Sequence, residues 1–400
     1  MNYNILNYIY IAFVILRSPL QGTILPIDGR GLILLMLTIF VFILNFQKRM
    51  FKNILFSKPL IFWGLWCIYS AFNSYIKGYP SESITYPYFV INQLFCPFVI
   101  LCISTYEYIK DSGVFIKALL IIFIIYALLG AFVMDIGYVV AEEGILNANT
   151  LGNLLALNVV FIIFFASIMF CRKEIEKKNL IVLIIFTMYI VVISATRKAL
   201  GAGFIMLIAL IMSQIKLNFT NLVKILFPIL TLYIAINYIM SNTQMGERFQ
   251  EIKDVNESLN AKYDIEGNIF LEAMGDRAPY YIDGTELFLK NPITGIGLRN
   301  FTLKTSHTTH LHTEYMVQLC ECGIIGTTLF VLLYITVIKE LIWTFKKRKK
   351  EINITIIMMG ALVAILFLYL TTWSYSFAFY FLILGCLIAH TKKSEQLQNQ

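Results

Sequence analysis

The stretch at residues 114–134 reads VFIKALLIIFIIYALLGAFVM and contains a single charged side chain, Lys117. A helix needs roughly 20 consecutive apolar residues to cross the ~30 Å hydrocarbon core of a bilayer, and this run is long enough. The composition agrees, since 58% of the 400 residues are hydrophobic and 14% are charged. A soluble domain carries roughly 25% charged residues. The sequence therefore predicts an integral membrane protein.

Similar apolar runs occur along the whole chain. The predicted spans, twelve in number, are 5–17, 31–46, 58–76, 84–105, 114–134, 150–171, 179–195, 199–215, 223–241, 312–338, 353–370 and 372–390. The first lacks an early basic region and a small-residue cleavage site, so we expect a retained helix and not a secretory signal peptide. The expected fold is an all-α polytopic membrane protein with about 12 transmembrane helices.

Lysine and arginine are concentrated in the connections after the second, sixth and tenth spans. These residues are Lys48, Arg49, Lys52, Lys58, Arg172, Lys173, Lys177, Lys178, Lys339, Lys346, Lys347, Arg348, Lys349 and Lys350. The connection 135–149 and the turn near 371 contain neither residue type. Because short cytoplasmic loops collect Lys and Arg, both termini are predicted to be cytoplasmic. This bias accounts for most of the net charge of +8, so no nucleic-acid partner is expected.

One long polar segment separates the ninth and tenth spans, and the predicted topology puts it outside the cytoplasm. The expected organisation is transmembrane helices 1–9 within 1–241, a large extracytoplasmic loop at 242–311, helices 10–12 within 312–391 and a cytoplasmic tail at 392–400. Loops of this length that lack linker composition are usually functional.

Within this loop, residues 279–290 (PYYIDGTELFLK) place apolar side chains among polar ones. The pattern predicts an amphipathic helix that lies on the bilayer surface. Asn291 and Pro292 would end this helix, and Gly295 and Gly297 would turn the chain.

Six basic residues on the predicted outer side are candidates for binding an anion. They are Arg197, Lys198, Arg248, Arg277, Arg299 and Lys304. The simplest interpretation is snorkelling to lipid headgroups for the first two and solvation in the loop for the others. The functional alternative is a phosphate partner, because the planar arginine fork binds phosphate oxygens bidentately. A lipid-linked diphosphate would suit such residues.

Three of the four histidines, His307, His310 and His312, lie directly before the tenth span. A metal site is disfavoured, because H-x-H on a helix splays the two rings and Glu314 is the only acid close by. The chain also lacks a D-x-D pair and a Walker A motif, so neither a metal nor another cofactor is expected. A single histidine acting as general base towards a sugar hydroxyl is the more economical hypothesis.

The order of these parts resembles the O-antigen polymerase and O-antigen ligase superfamily of bacterial polytopic glycosyltransferases. The most specific resemblance is NPITGIGLRNF at 291–301 followed by HTEYMVQLCECGIIG at 312–326. These runs look like the family's N-P-x-x-G-x-G-x-x-N-F, H-N-x-Y-L and E-x-G-x-x-G. His312 takes the position of the family histidine, and Glu321 that of the downstream glutamate. Thr313 stands where the family often has Asn.

The resemblance implies a metal-independent, inverting transfer of a glycan from an undecaprenyl-diphosphate donor to a sugar hydroxyl. His312 would deprotonate or orient that hydroxyl, while Arg197 and Arg277, which match the family's arginines, would bind the diphosphate. His307 and His310 fall outside the motif and would line the approach. The residues expected to bind substrate around this centre are Lys198, Arg248, Arg299, His310 and Glu321.

Polymerase and ligase share these parts and differ in the acceptor, which is a lipid-linked repeat for the first and the lipid A core for the second. We favour polymerase, since polymerases are more numerous and nothing in the loop indicates a lipid A core site. A polysaccharide or solute transporter is the alternative from another class, but transporters tend to show repeat symmetry or charges at mid-membrane. The expected setting is the bacterial inner membrane with the site facing the periplasm, and a chain-length regulator is a further candidate partner.

Overall fold

The computed structural model describes residues 3–16, 27–47, 52–78, 86–133, 138–140, 146–148, 150–194, 196–215, 277–307, 311, 313–370, 372 and 378–398. The regular structure of these residues is helical apart from one short two-stranded ladder. The helices, in chain order, are α1 (Tyr3–Leu16), α2 (Ile27–Gln47), α3 (Lys52–Leu55), α4 (Lys58–Ile76), α5 (Tyr86–Phe89), α6 (Cys96–Val133), α7 (Thr150–Val159), α8 (Phe161–Cys171), α9 (Lys177–Ile193), α10 (Arg197–Gln214), α11 (Ala278–Lys290), α12 (Phe301–Lys304), α13 (Glu314–Met316), α14 (Cys322–Lys347), α15 (Ile352–Leu368) and α16 (Ala378–Gln398).

Short non-α turns join some of these helices. A π-helical turn at Val90–Phe95 connects α5 to α6, a second at Val317–Glu321 connects α13 to α14, and a 3₁₀ turn at Lys349–Glu351 precedes α15. Every predicted span except the ninth contains helical residues, although 84–105, 150–171 and 312–338 each include more than one helical element and α16 begins at Ala378 and not at 372. The ninth span, 223–241, lies outside the described residues.

Two helical segments, Val90–Ala131 and Glu314–Lys347, are long and apolar enough to cross a membrane. Shorter apolar helices of 10–17 residues occupy the positions of other predicted spans. The prediction of a helical membrane protein is confirmed in this form. The count of about 12 spans and the sidedness of the loops stay predictions.

The first of these segments is interrupted at Asp111. It contains 42 residues, which at 1.5 Å per residue is about 63 Å, roughly twice the thickness of the hydrocarbon core. Asp111 has φ −150° and ψ 89°, and its Oδ1 accepts the backbone N–H groups of Gly113 and Val114 at 3.0 Å each. These are the capping bonds of a helix N-terminus. Two helices therefore meet at Asp111, between the predicted fourth and fifth spans.

The connection 135–149 departs from the all-α prediction. It contains strands β1 (Tyr138–Val140) and β2 (Leu146–Ala148), which pair antiparallel with Tyr138 opposite Ala148. Backbone groups in a connection outside the helices still need hydrogen-bond partners, and a hairpin lets them pair with each other.

Small residues lie where α10 and α15 cross. A Cβ added at Gly360 of α15 would lie 2.2 Å from Cβ of Ala209 in α10, and one at Gly201 would lie 2.6 Å from the Phe367 ring. Close backbone approach of this kind is how helices pack in a membrane. Because Gly201 faces Phe367 while Ala209 faces Gly360, the two helices are antiparallel. The start of α10 and the end of α15 therefore lie together.

Candidate active site

A helix break at Gly323 organises the candidate site. This residue has φ 64° and ψ −169°, a left-handed backbone conformation that glycine reaches without strain. The break follows the π turn that ends at Glu321, and it interrupts the backbone hydrogen bonding of the second membrane-spanning segment. Unsatisfied backbone groups cost several kcal/mol in a bilayer, so another part of the protein must supply partners.

Residues 291–300, called the NP loop below, supply these partners. Four backbone hydrogen bonds join the NP loop to the two sides of the break. They run from Ile296 N to Cys320 O (3.0 Å), Gly297 N to Glu321 O (2.9 Å), Ile324 N to Pro292 O (2.8 Å) and Ile325 N to Ile293 O (3.2 Å). The NP loop thus replaces bonds that an unbroken helix would make with itself.

Two glycines permit this contact. Gly295 and Gly323 both have positive φ, 68° and 64°, and a Cβ on either would lie 2.5 Å from backbone atoms of the opposite segment. No larger side chain fits between the two backbones. The first glycine of the G-x-G run and the glycine of the E-x-G run are therefore explained by backbone approaching backbone.

Side chains of α4 hold the NP loop from the other side. The Tyr69 hydroxyl lies within hydrogen-bond distance of the carbonyls of Thr294 (3.1 Å) and Cys322 (2.8 Å). Asn73 Nδ2 donates to the same Thr294 carbonyl at 2.7 Å, and Ser74 Oγ accepts a backbone N–H from the loop at 2.9 Å. The NP loop is thus fixed between α4 and the broken helix.

The buried carboxylate of Glu321 holds the C-terminal end of the NP loop. Its Oε2 accepts the backbone N–H of Arg299 at 3.0 Å and its Oε1 that of Phe301 at 3.4 Å. Arg299 has φ 66°, a conformation that persists only when its surroundings enforce it. The Nε of Arg299 is buried and has no hydrogen-bond partner among the described residues. The contacts described for the Glu321 carboxylate are thus with backbone, and its predicted role in substrate binding stays a prediction.

The predicted amphipathic helix is present as α11, with Arg277 as its N-cap residue. The Tyr281 hydroxyl of α11 donates to the Leu370 carbonyl at 3.3 Å. Burial raises the pKa of Tyr281, and this rise is opposed by a hydrogen bond with Thr313 and by the charge of Arg277. The Arg277 charge therefore acts on Tyr281, and Tyr281 in turn bonds Thr313, the residue that follows His312.

The end of α15 anchors the residues that follow position 312. The Tyr369 carbonyl accepts a hydrogen bond from Thr313 Oγ1 at 3.1 Å and another from the Glu314 backbone N–H at 2.9 Å. Thr313 and Glu314 are both buried. Carbonyls at a helix C-terminus lack partners in their own helix, so they are free to accept such bonds.

The start of α10 lies at the same place. Arg197 is the first residue of α10, one turn before the Gly201 that packs on Phe367, and Phe367 is two residues before Tyr369. We call Phe367, Tyr369 and Leu370 the α15 end. Three chain segments converge on the α15 end, namely the start of α10, helix α11 and the start of α13.

The structure describes the predicted site residues unequally. For Arg197 it describes the backbone alone, and Lys198 is partly exposed in the first turn of α10. His312, His310 and Arg248 lie outside the described residues, so their roles stay predictions.

Sequence reasoning did not single out Tyr281, Asp283 or Tyr369. Asp283 Oδ2 lies 2.8 Å from Nε2 of His307, a residue predicted only to line the approach. The feature of the sequence that could have pointed to Tyr281 and Asp283 is that both carry polar groups within the predicted amphipathic helix. In the part of the chain that the structure describes, no group of three or more His, Cys, Asp or Glu residues could hold a metal ion.

A family model matches part of this chain. Residues 180–331 match the family model for O-antigen ligase, a range that runs from α9 through the NP loop and the Gly323 break. No curated protein matches the chain. The match supports a function of the O-antigen ligase or polymerase type in a membrane protein. The chain therefore carries, at residues 180–331, a domain of the O-antigen polymerase and ligase superfamily.

Proposed function

We propose that this protein is a membrane glycosyltransferase that polymerises a bacterial surface polysaccharide of the O-antigen type. It transfers a glycan from undecaprenyl diphosphate to a sugar hydroxyl of a lipid-linked acceptor. The observation that carries the proposal is the convergence at the α15 end. The helices that begin at Arg277 and Arg197 both contact the α15 end, and so does the residue after His312.

The diphosphate is bound by fixed cations. Arg197 begins α10 and Arg277 caps α11, so both residues stand at a helix N-terminus. A helix N-terminus carries a partial positive charge and free N–H groups, which favour an anion. Two such ends with bidentate arginine forks offset the negative charge that develops on the leaving diphosphate, which makes a divalent metal unnecessary.

In the transfer step, His312 takes the proton of the acceptor hydroxyl as that oxygen attacks the anomeric carbon. The bond from this carbon to the diphosphate oxygen breaks, and its electron pair leaves with the diphosphate. Attack from the face opposite the leaving group inverts the anomeric configuration. Lys198, Arg248, Arg299 and His310 surround the substrates, and Glu321 holds the backbone of Arg299.

The reaction takes place on the periplasmic side of the bacterial inner membrane, and both termini are cytoplasmic. Support for this setting comes from the Lys and Arg content of alternate connections. Lipid-linked donor and acceptor reach the site through the bilayer. A chain-length regulator is a candidate protein partner.

The test uses the purified full chain in liposomes with defined undecaprenyl-diphosphate-linked repeats. We expect wild type to build long chains, while His312→Ala and Arg277→Ala each lower the rate at least about hundredfold. Lys290→Ala is the matched control, because this exposed residue at the far end of α11 pairs only with Glu286 among its described charged neighbours. Long chains from His312→Ala would remove the histidine from the role of base.

Metal independence has a test of its own. We expect EDTA to leave the rate of chain extension unchanged, because the arginines supply the positive charge that the leaving group needs. Strong inhibition by EDTA that Mg²⁺ reverses would contradict this mechanism.

Ligase activity is the second candidate, and the description of the matching family as O-antigen ligase favours it. The same preparation distinguishes the two functions when it is offered lipid A core in place of lipid-linked repeats. Transfer to the core without chain extension would establish a ligase. No glycosidic bond formation with either acceptor would exclude both and leave transport as the function to test.

A further inference from the structure

Within the part of the chain that the structure describes, His307 is the histidine near the candidate site. His307 Nε2 lies 2.8 Å from Asp283 Oδ2, which joins residues separated by 24 positions in the chain. The imidazole stacks on Tyr280, with ring centroids 4.1 Å apart, and on Phe301, at 5.5 Å. The side chain of His307 is 14% exposed. Stacking fixes the ring plane, so this contact is more rigid than an ordinary surface bridge.

The pair connects the two segments that carry the proposed catalytic groups. Asp283 is on α11, which begins at Arg277, and His307 is on the segment that leads to position 312. We propose that Asp283 and His307 form a positioning pair that holds α11 in register with the segment carrying His312. This inference rests on the proposed function, because it assigns the pair its effect through Arg277 and His312.

Helix α11 also contacts the residues on either side of position 312. A Cβ on Gly284 would lie 2.8 Å from Cε of Met316 and 3.2 Å from Cδ2 of Leu311. The Tyr281 hydroxyl lies against Thr313. Helix α11 therefore touches the chain on both sides of position 312, and the Asp283–His307 pair fixes the same helix to the chain further upstream.

Register matters because the transfer needs both groups at once. The diphosphate bound by Arg277 and the hydroxyl activated by His312 must be aligned across the contact between α11 and residues 311–316. A displacement of about 1 Å in such a geometry can cost about a hundredfold in rate. Loss of the pair therefore slows the chemical step more than it weakens donor binding, since Arg277 itself is retained.

The experiment compares single and double variants in the liposome assay. We expect Asp283→Ala to lower kcat about tenfold with a donor KM within about threefold of wild type. His307→Phe keeps the stacking ring but removes the hydrogen bond, so it should match Asp283→Ala. Asp283→Asn retains an acceptor oxygen and should recover most of the rate. The double variant Asp283→Ala with His307→Phe should be no slower than either single variant.

Glu286→Ala is the matched control on the same helix. Its carboxylate forms an exposed salt bridge with Lys290 at 2.5 Å, and we expect wild-type kcat. Wild-type kcat in Asp283→Ala, multiplicative losses in the double variant, or an Asp283→Asn variant as slow as Asp283→Ala would each overturn the inference.

Hydrogen exchange of the α11 amides separates this inference from the proposed function. Asp283→Ala should speed that exchange and Glu286→Ala should not, whether or not the wild type transfers glycan. Unchanged exchange in Asp283→Ala would overturn the positioning role. Absence of glycan transfer by wild type would overturn the proposed function.

Discussion

The two ends of α15 both carry buried polar groups, but these groups bind different kinds of partner. Near the start of the helix, Thr355 Oγ1 lies 3.0 Å from Nε2 of His390, and the other ring nitrogen of His390 lies 3.5 Å from the Tyr108 hydroxyl. Arg172 Nη2 approaches the same Tyr108 hydroxyl at 3.4 Å. Thr355 Oγ1 also donates to the Glu351 carbonyl at 3.1 Å, but the other partners named here are side chains outside α15.

At the other end, about 20 Å away along the helix, the groups that receive α11 and the start of α13 are backbone carbonyls. Tyr369 and Leu370 accept hydrogen bonds from Thr313, Glu314 and Tyr281. Hydrogen bonds between side chains of different helices hold those helices together. Carbonyls that accept hydrogen bonds from α11 and from the start of α13 instead fix the position of the candidate site residues on these two segments. We infer that the first end contributes mainly to stability and the second mainly to activity.

The largest expected effect is that of Gly323→Ala. A Cβ here would lie 2.5 Å from backbone atoms of the NP loop, so the loop must leave the helix break and the site must come apart. We expect glycan transfer to fall at least about hundredfold. Gly78→Ala is the matched control, because Gly78 also has positive φ, 78°, but nothing within 4 Å of an added Cβ. Its cost should be the backbone strain of about 1–2 kcal/mol. Equal losses of activity in both variants would show that backbone strain, and not the contact between the NP loop and the Gly323 break, causes the loss.

The next effect in size is that of Arg197→Lys. A lysine keeps the charge at the start of α10 but cannot reproduce a bidentate bond to the diphosphate. We expect a loss of about tenfold or more in kcat/KM for the donor, measured with lipid-linked repeats. Full activity would show that Arg197 acts only as a charge at the membrane interface. The start of α10 would then have no part in the proposed diphosphate site.

A smaller effect is expected for Tyr281→Phe. The change removes the bond to the Leu370 carbonyl while keeping the ring. A single neutral hydrogen bond contributes about 0.5–1.5 kcal/mol, so we expect a threefold to tenfold lower kcat and a small change in Tm. A large fall in Tm with unchanged kcat would reverse the contrast between the two ends of α15.

The smallest expected effect on activity is that of His390→Leu. The substitution deprives Thr355 and Tyr108 of a buried partner, which should cost about 1–3 kcal/mol of stability. The rate per folded molecule should stay at the wild-type value. Thermal unfolding in detergent and the rate normalised to folded protein measure the two quantities. A rate that falls as steeply as in Tyr281→Phe would show that the first end also serves the reaction.

Much of the fold could be predicted from the sequence. Runs such as 114–134 specify helices through hydrophobicity alone, and the mixed pattern of 279–290 specified α11. The glycines and the glutamate of the candidate site could be singled out, because they resemble a family motif. The physical roles of Gly295, Gly323 and Glu321 could not be inferred, since each depends on a contact with distant backbone.

The partners of the motif residues are the part that sequence reasoning could not reach. Carbonyls such as those of Tyr369 and Leu370 are present in every residue type and leave no compositional trace. The contact between Asp283 and His307 likewise becomes visible only when the packing of α11 against residues 301–307 is known. Long-range contacts of this kind need the tertiary arrangement before any residue pattern can be interpreted.

The interlock of the NP loop with the Gly323 break also constrains the order of biosynthesis. The hydrogen-bond partners of Pro292, Ile293, Ile296 and Gly297 lie 24 to 32 positions further along the chain, at 320–325. While those residues are still within the ribosome, the NP loop has no partner of this kind and cannot close. The hydrogen bonds between the NP loop and the Gly323 break can therefore form only after residues 320–325 have been synthesised and have left the ribosome. A nascent chain stalled before residue 320 should hold helices α1 to α10 but no assembled site.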